Sequence, residues 1–196
     1  MTPTDVIFRP ADAADAPCLS ALATQVFFET YATSGMRIAL VREAASQFAV
    51  PAVLDWLRRP DSRTTLAEHD GHLIAFAEVV LGARHPLVPQ GAVAELNRLY
   101  VQSPFLRRGI GRRLLRHAEA LASAEGASTL WLTAWVGNAR ALSFYASQGY
   151  EPLGSTPYTF EGEVFENTLF AKALGAMPPT RSKLAPLPYQ SNDDEP

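Results

Sequence analysis

The chain has 196 residues, 47% of them apolar and 19% charged, with a formal net charge of −3 at neutral pH. That length suits one domain with a full core and the composition is globular, while a slightly acidic balance, with a sequence pI near 5.8, argues against general nucleic-acid affinity outside any local basic cluster. A single cysteine, Cys18, excludes an internal disulfide, and no apolar run approaches the ~20 residues that span a bilayer. The first residues also lack a basic-then-apolar signal pattern, so the expectation is a cytoplasmic protein that works away from membranes and nucleic acids.

Val6-Ile-Phe-Arg-Pro10 reads as a first strand. Asp12 and Asp15 offer N-caps for a helix with Leu19, Leu22, Val26 and Phe27 on one face, running towards Tyr31. Cys18 is expected on an apolar face of that helix, as a small buried group. Gly35 permits a turn, and two shorter helices are expected over 36–48 and 51–59, the second opening on Pro51 and closed by Pro60. Strand formers fill 63–68 and 73–81, the second run interrupted by Glu78. They meet through Asp70-Gly71, a hairpin turn signal. The irregular 82–91, with Pro86 and Pro89, leads to a strand ending at Val101.

A helix is expected over 109–125, stopped by Gly126. The strand 129–136 is apolar on both faces, which places Trp131 and Trp135 in the core. Strand, helix, strand in that order makes a right-handed crossover with its two strands parallel. A second helix over 138–148, capped by Asn138 and ended by Gly149, precedes a closing antiparallel pair, 150–160 and 164–172. The expected fold class is therefore α/β, one mixed sheet with helices on both faces, spanning 1–174. From 175 to 196 prolines punctuate a stretch with little apolar periodicity, read as a disordered tail.

Between the strand ending at Val101 and the next helix lies Arg107-Arg108-Gly109-Ile110-Gly111-Arg112. Glycines allow close backbone approach or positive φ, and the first turn of a helix presents N–H groups without intrahelical partners. Arg107, Arg108, Arg112 and Arg113 crowd a helix end that already carries about half a positive charge, so they ask for a polyanion such as a pyrophosphate. A P-loop is excluded by the missing Gly-Lys-Ser/Thr, and a dinucleotide fold is disfavoured because Leu114 stands where its third glycine belongs.

The runs Leu99-Tyr-Val101, Arg108-Gly-Ile-Gly-Arg-Arg-Leu-Leu115 and Asn138-Ala-Arg-Ala-Leu-Ser-Phe-Tyr-Ala-Ser-Gln-Gly-Tyr150 together resemble the GNAT superfamily of acyl-CoA-dependent N-acetyltransferases. The family signature begins with Gln or Arg where this chain has Leu106. The resemblance implies a mostly antiparallel sheet whose parallel pair is splayed at its centre. It implies acetyl-CoA as cosubstrate, held by Leu99, Tyr100, Val101, Arg107, Arg108, Gly109, Ile110, Gly111, Arg112, Asn138 and Tyr145. The backbone of Leu99 and Val101 would pair with the pantetheine arm like an added strand, and the amides of 108–112 would hold the pyrophosphate. Helical pattern alone reads Tyr145 equally as a core aromatic; the resemblance makes it the acid that protonates the departing thiolate.

For a base, Glu95 is the candidate, expected on one strand face with Asn97, Leu99 and Val101. The histidines, His69, His72, His85 and His117, lack companions at metal spacing, so no metal is expected. A looser likeness to PaiA-type spermidine/spermine N-acetyltransferases implies a polyamine or other small amine as acceptor, with Glu29, Glu95, Glu161, Glu163 and Glu166 lining an acidic pocket. A homodimer is an expectation by family analogy. The rival readings are a protein or peptide N-acetyltransferase, a non-catalytic acyl-CoA-binding module, and a nucleic-acid binder using the arginines.

Overall fold

The computed structural model describes residues 6–175; apart from Gly175, the stretch read as a tail lies outside the described residues. The strands are β1 (Val6–Pro10), β2 (Ser62–His69), β3 (His72–Leu81), β4 (Val93–Val101), β5 (Thr129–Trp135), β6 (Glu151–Phe160) and β7 (Glu163–Ala173). The helices are α1 (Ala16–Tyr31), α2 (Ile38–Phe48), α3 (Val50–Arg58), α4 (Ile110–Ala124) and α5 (Ala139–Ser147). One sheet runs in the order β1-β2-β3-β4-β5-β7-β6. Every neighbouring pair is antiparallel except β4–β5.

Local chemistry sets the boundaries. Asp12 accepts from the Ala14 amide and donates its own N–H to the Asp15 carboxylate, which caps a short 3-10 turn ahead of α1. Asp15 then spends its side chain on Arg9, at 2.7 Å, rather than on the helix it precedes. Asp70 (φ 50°) and Gly71 (φ 76°) both take the left-handed conformation that a two-residue hairpin turn requires.

Two apolar layers sandwich the sheet. On one face Leu19, Leu22, Phe27, Phe48 and Trp56 of α1 to α3 pack on Leu66 and Phe76. On the other, Ile110, Leu114 and Leu115 of α4 pack on Ile74, Ala94, Leu96 and Leu130. Cys18 takes no part in either and is exposed. The buried stripe of α1 is Ala16, Leu19, Leu22, Ala23, Val26 and Phe27, and Cys18 lies about 100° of helix turn away from Leu19. Trp131 is core, as expected, whereas Trp135 is only half-buried.

Two irregularities in β4 position everything that follows. Glu78 of β3 faces Arg98, but Val79 faces Leu96, so Asn97 has no partner across the ladder and forms a β-bulge. The bulge inverts the alternation of side chains: Ala94 and Leu96, then Leu99 and Val101, all pack on the α4 side. Glu95 therefore points to the opposite face from Leu99 and Val101, and the shared face expected from strict alternation does not exist. Secondly, β4 pairs with β5 only at Val93, Ala94 and Glu95, after which the two strands part. β5 goes on pairing with β7 as far as Trp135.

Candidate functional site

Where β4 leaves β5, the sheet opens into a cleft of about 600 Å³. Its floor is the freed edge of β4 from Leu96 to Val101, and its walls come from α1, the start of α4, the end of β5 and α5. An edge that has lost its partner presents backbone N–H and C=O groups ready to pair with an extended ligand.

At one end is the glycine and arginine loop. Arg107 (φ 59°) and Gly109 (φ 77°) both sit in the left-handed region, and Gly109 is the N-cap of α4. The first bond of that helix runs from the Arg113 amide to the Gly109 carbonyl, so the amides of 110–112 precede the helical ladder. Alternating hand along consecutive residues curls such amides towards a common anion position. A Cβ on Gly109 would meet nothing within 4 Å, and one on Gly111 would touch Val101 Cγ2 at 3.7 Å and Phe144 Cζ at 3.8 Å.

The four arginines expected there divide. Arg107 and Arg112 line the cleft. Arg108 lies over the Phe105 ring at 5.6 Å, and Arg113 turns back to β1, donating to the Val6 carbonyl at 3.2 Å and lying over Phe8. Neither Arg108 nor Ile110 is among the lining residues, and Ile110 is buried in the core beneath α4. Arg140, which sequence reasoning missed, joins Arg107 and Arg112 from the first turn of α5. The signal for it was present, since a cation at a helix N-terminus opposes the macrodipole there just as it does at α4.

Leu99, Tyr100, Val101, Asn138 and Tyr145 all reach the cleft. Asn138 caps α5 by accepting from the Ala141 amide at 3.1 Å. Tyr145 is buried among Phe144, Tyr150 and Phe170, with ring centroids 5.2 to 6.2 Å away. Loss of water around it, with Tyr100 nearby, pushes its phenol well above the ordinary tyrosine range. Such a phenol holds its proton throughout the physiological range and is fit to donate it.

The far end of the cleft is aromatic and polar. Tyr31 lies against Trp135 at 5.4 Å, and Phe165 meets both rings edge-on. The Tyr158 hydroxyl donates to Glu43 of α2, and Arg37–Glu163 (2.6 Å) and Arg42–Glu161 (3.3 Å) tie α2 to the β6–β7 hairpin. These pairs account for two of the five glutamates expected to form an acidic pocket. Glu29 accepts from Gln25 and Ser103, Glu166 accepts from Ser155, and none of the five lines the cleft.

Beneath the bulge is a buried charge. Glu78 has no exposed surface; Ser62 Oγ (3.0 Å) and Asn97 Nδ2 (2.9 Å) donate to it, and Arg98 pairs with it. Arg98 in turn lies 4.5 Å above the Trp56 ring and 5.6 Å from that of Phe48. Both donors from β4 line the cleft, so Glu78 braces its floor from behind. Replacing Glu78 by alanine leaves the Arg98 guanidinium buried without its counter-ion and is expected to cost about 3–5 kcal/mol of stability. Urea denaturation measures that loss.

Glu95 is not among the cleft residues. Burial first, and the Glu78 carboxylate second, push its carboxyl from near 4.5 up to about 7. A carboxyl raised in the folded state favours folding while protonated, so stability falls as pH rises from about 4.5 to about 7 and levels off above. The contribution is at most about 3 kcal/mol. Glu95→Gln is expected to flatten that slope between pH 5 and pH 8 in thermal melts, and an unchanged slope assigns it to other groups.

Residues 27–150 match the family model described as Acetyltransferase (GNAT) family. The chain is 32% identical over 80 residues to an uncharacterized N-acetyltransferase in the pepI 3' region of Lactobacillus delbrueckii subsp. lactis, over 41% of this chain and 46% of that protein. It is 33% identical over 102 residues to an IAA acetyltransferase of Azospirillum brasilense, over 52% of this chain and 62% of that one. It thus spans less than two thirds of the length of these curated relatives. Its fold is similar to that of the PaiA N-acetyltransferase of Thermoplasma acidophilum, solved in complex with coenzyme A, with TM-score 0.67 and 22% identity over 86% of this chain and 98% of that one. Among the described residues no helix is long and apolar enough to cross a membrane.

Proposed function

This chain belongs to the acetyltransferase (GNAT) family, and on that premise we propose that it transfers the acetyl group of acetyl-CoA to the nitrogen of a small amine. The observation that carries the reading is the parting of β4 from β5 beside a left-handed, arginine-flanked helix start. The residues present fit the cosubstrate: an unpaired strand edge for an amide-bearing arm, and amides with cations for a diphosphate.

The amides of 110–112, with Arg107 and Arg112, hold the diphosphate, and the β4 edge at Leu99 and Val101 aligns the arm. When bound, acetyl-CoA supplies its acetyl group as an activated thioester. Tyr145, protonated and facing the cleft, gives the proton that the sulfur takes up on leaving. The Glu78–Arg98–Asn97 cluster keeps the bulged floor of the cleft from yielding.

A small acceptor fits better than a protein chain because three contacts, Tyr158–Glu43, Arg37–Glu163 and Arg42–Glu161, hold the β6–β7 hairpin against α2 at the acceptor end. The polyamine reading suggested by family likeness weakens, since four of the five carboxylates it called on are engaged elsewhere and none of the five lines the cleft. Release of CoA thiol from acetyl-CoA tests the reaction: amine-dependent release above the slow background without acceptor is expected. Equal rates with and without every amine offered contradict transfer.

A further inference from the structure

We infer that the acceptor is an arylamine, a nitrogen carried directly on a planar aromatic ring and therefore uncharged at neutral pH. This deepens the acetyl-transfer reading and rests on it. Proton balance favours such an amine. An uncharged amine forms the new C–N bond as the C–S bond breaks, then surrenders one proton, and the thiolate takes one up, with Tyr145 as the intermediary. An alkylammonium brings a second proton, which has to leave to a base before the nitrogen can attack.

Among the described residues, no side chain that lines the cleft is suited to take it. Its titratable lining residues are the phenols of Tyr31, Tyr100, Tyr145 and Tyr158 and the guanidiniums of Arg98, Arg107, Arg112 and Arg140, and no Asp, Glu or His is among the described residues that line it. All four phenols are pushed upward, chiefly by burial, so they serve as donors. Of the carboxylates that touch or adjoin lining residues, Glu43 accepts the Tyr158 hydroxyl, Glu78 is paired with Arg98, and Glu95, next to Leu96, is not itself among the described lining residues. Only about one alkylamine in a thousand is uncharged at neutral pH, given a pKa near 10.

Charge and shape argue the same way. Among the described residues four arginines and no carboxylate line the cleft, and of the four only Arg98 has an ion pair there. The acceptor end offers instead an aromatic wall built from Tyr31 and Trp135. Tyr31 and Trp135 lie against each other at 5.4 Å and 34°, with Phe165 edge-on to both, and Asn97 and Asn167 lie at the cleft surface. Offset or edge contacts with such a wall favour a ring. The same wall attracts cations by its π faces, and a matched pair of amines separates the two attractions.

The test measures CoA thiol release by the full chain with para-toluidine, its isomer benzylamine, and spermidine. At neutral pH the arylamine is expected to give kcat/KM about a hundredfold above the other two, and to hold it from about pH 6.5 to about pH 9. Benzylamine should rise about tenfold per pH unit as its uncharged fraction grows. Benzylamine or spermidine equal to or better than para-toluidine at neutral pH overturns the inference. Thermal shift with acetyl-CoA separates the two levels of failure: a raised Tm with no arylamine turnover removes the arylamine alone. No shift with acetyl-CoA removes the acetyl-transfer reading with it.

Discussion

Replacing Tyr145 by phenylalanine is expected to lower turnover roughly ten- to a hundredfold while leaving acetyl-CoA affinity nearly unchanged. The ring is packed among Phe144, Tyr150 and Phe170 in the core beneath α4. Phenylalanine preserves that packing and deletes only the hydroxyl. What disappears is the proton source facing the cleft, a group whose burial keeps it protonated well above neutrality. A loss in kcat with constant KM marks an interaction made only as the sulfur departs. Unchanged turnover would assign Tyr145 to packing, the alternative its helical position equally allows.

Gly111→Val is expected to weaken acetyl-CoA binding by a hundredfold or more, on the order of 3 kcal/mol. Gly111 lies in the first turn of α4 and lines the cleft between Val101 and Phe144. A Cβ there makes only ordinary contacts, at 3.7 and 3.8 Å, so the fold tolerates the change. The two methyl groups of valine then occupy the space over the helix amides and keep a diphosphate from reaching them. Gly111→Ala should lose less, giving a graded series. Gly109 is the poorer test site, because its φ of 77° makes any side chain strained by about 1–2 kcal/mol and mixes folding with binding. Full affinity in Gly111→Val, measured calorimetrically, would place the diphosphate elsewhere.

Most of the architecture was legible because its signals are local. Asp70-Gly71 makes the turn it announces, the crossover from β4 through α4 to β5 is parallel, and Asn138 caps the helix it precedes. The family likeness rested on such stretches, and the family match confirms it. What stayed hidden depends on partners distant in sequence. The β4 bulge goes with a buried Glu78 that draws both Asn97 and Arg98 from the neighbouring strand, and period-two reading has no means of seeing an extra residue.

That one insertion moved Glu95 to the other face of the sheet. Arg113 was legible as a cation at a helix start, but its attachment to Val6 depends on where β1 lies. The glutamates of the β6–β7 hairpin looked free until Arg37 and Arg42 of the α2 region met them from more than a hundred residues away.

The central claim, that the amides and guanidiniums at the start of α4 grip the diphosphate of acetyl-CoA, is tested most directly by thermal shift of the native chain with acetyl-CoA, free CoA and duplex DNA. The account predicts stabilisation by the first two, about 2.7 kcal/mol at a hundred times Kd, and none by the third. No stabilisation by acetyl-CoA at millimolar concentration, or a larger one by DNA, contradicts it.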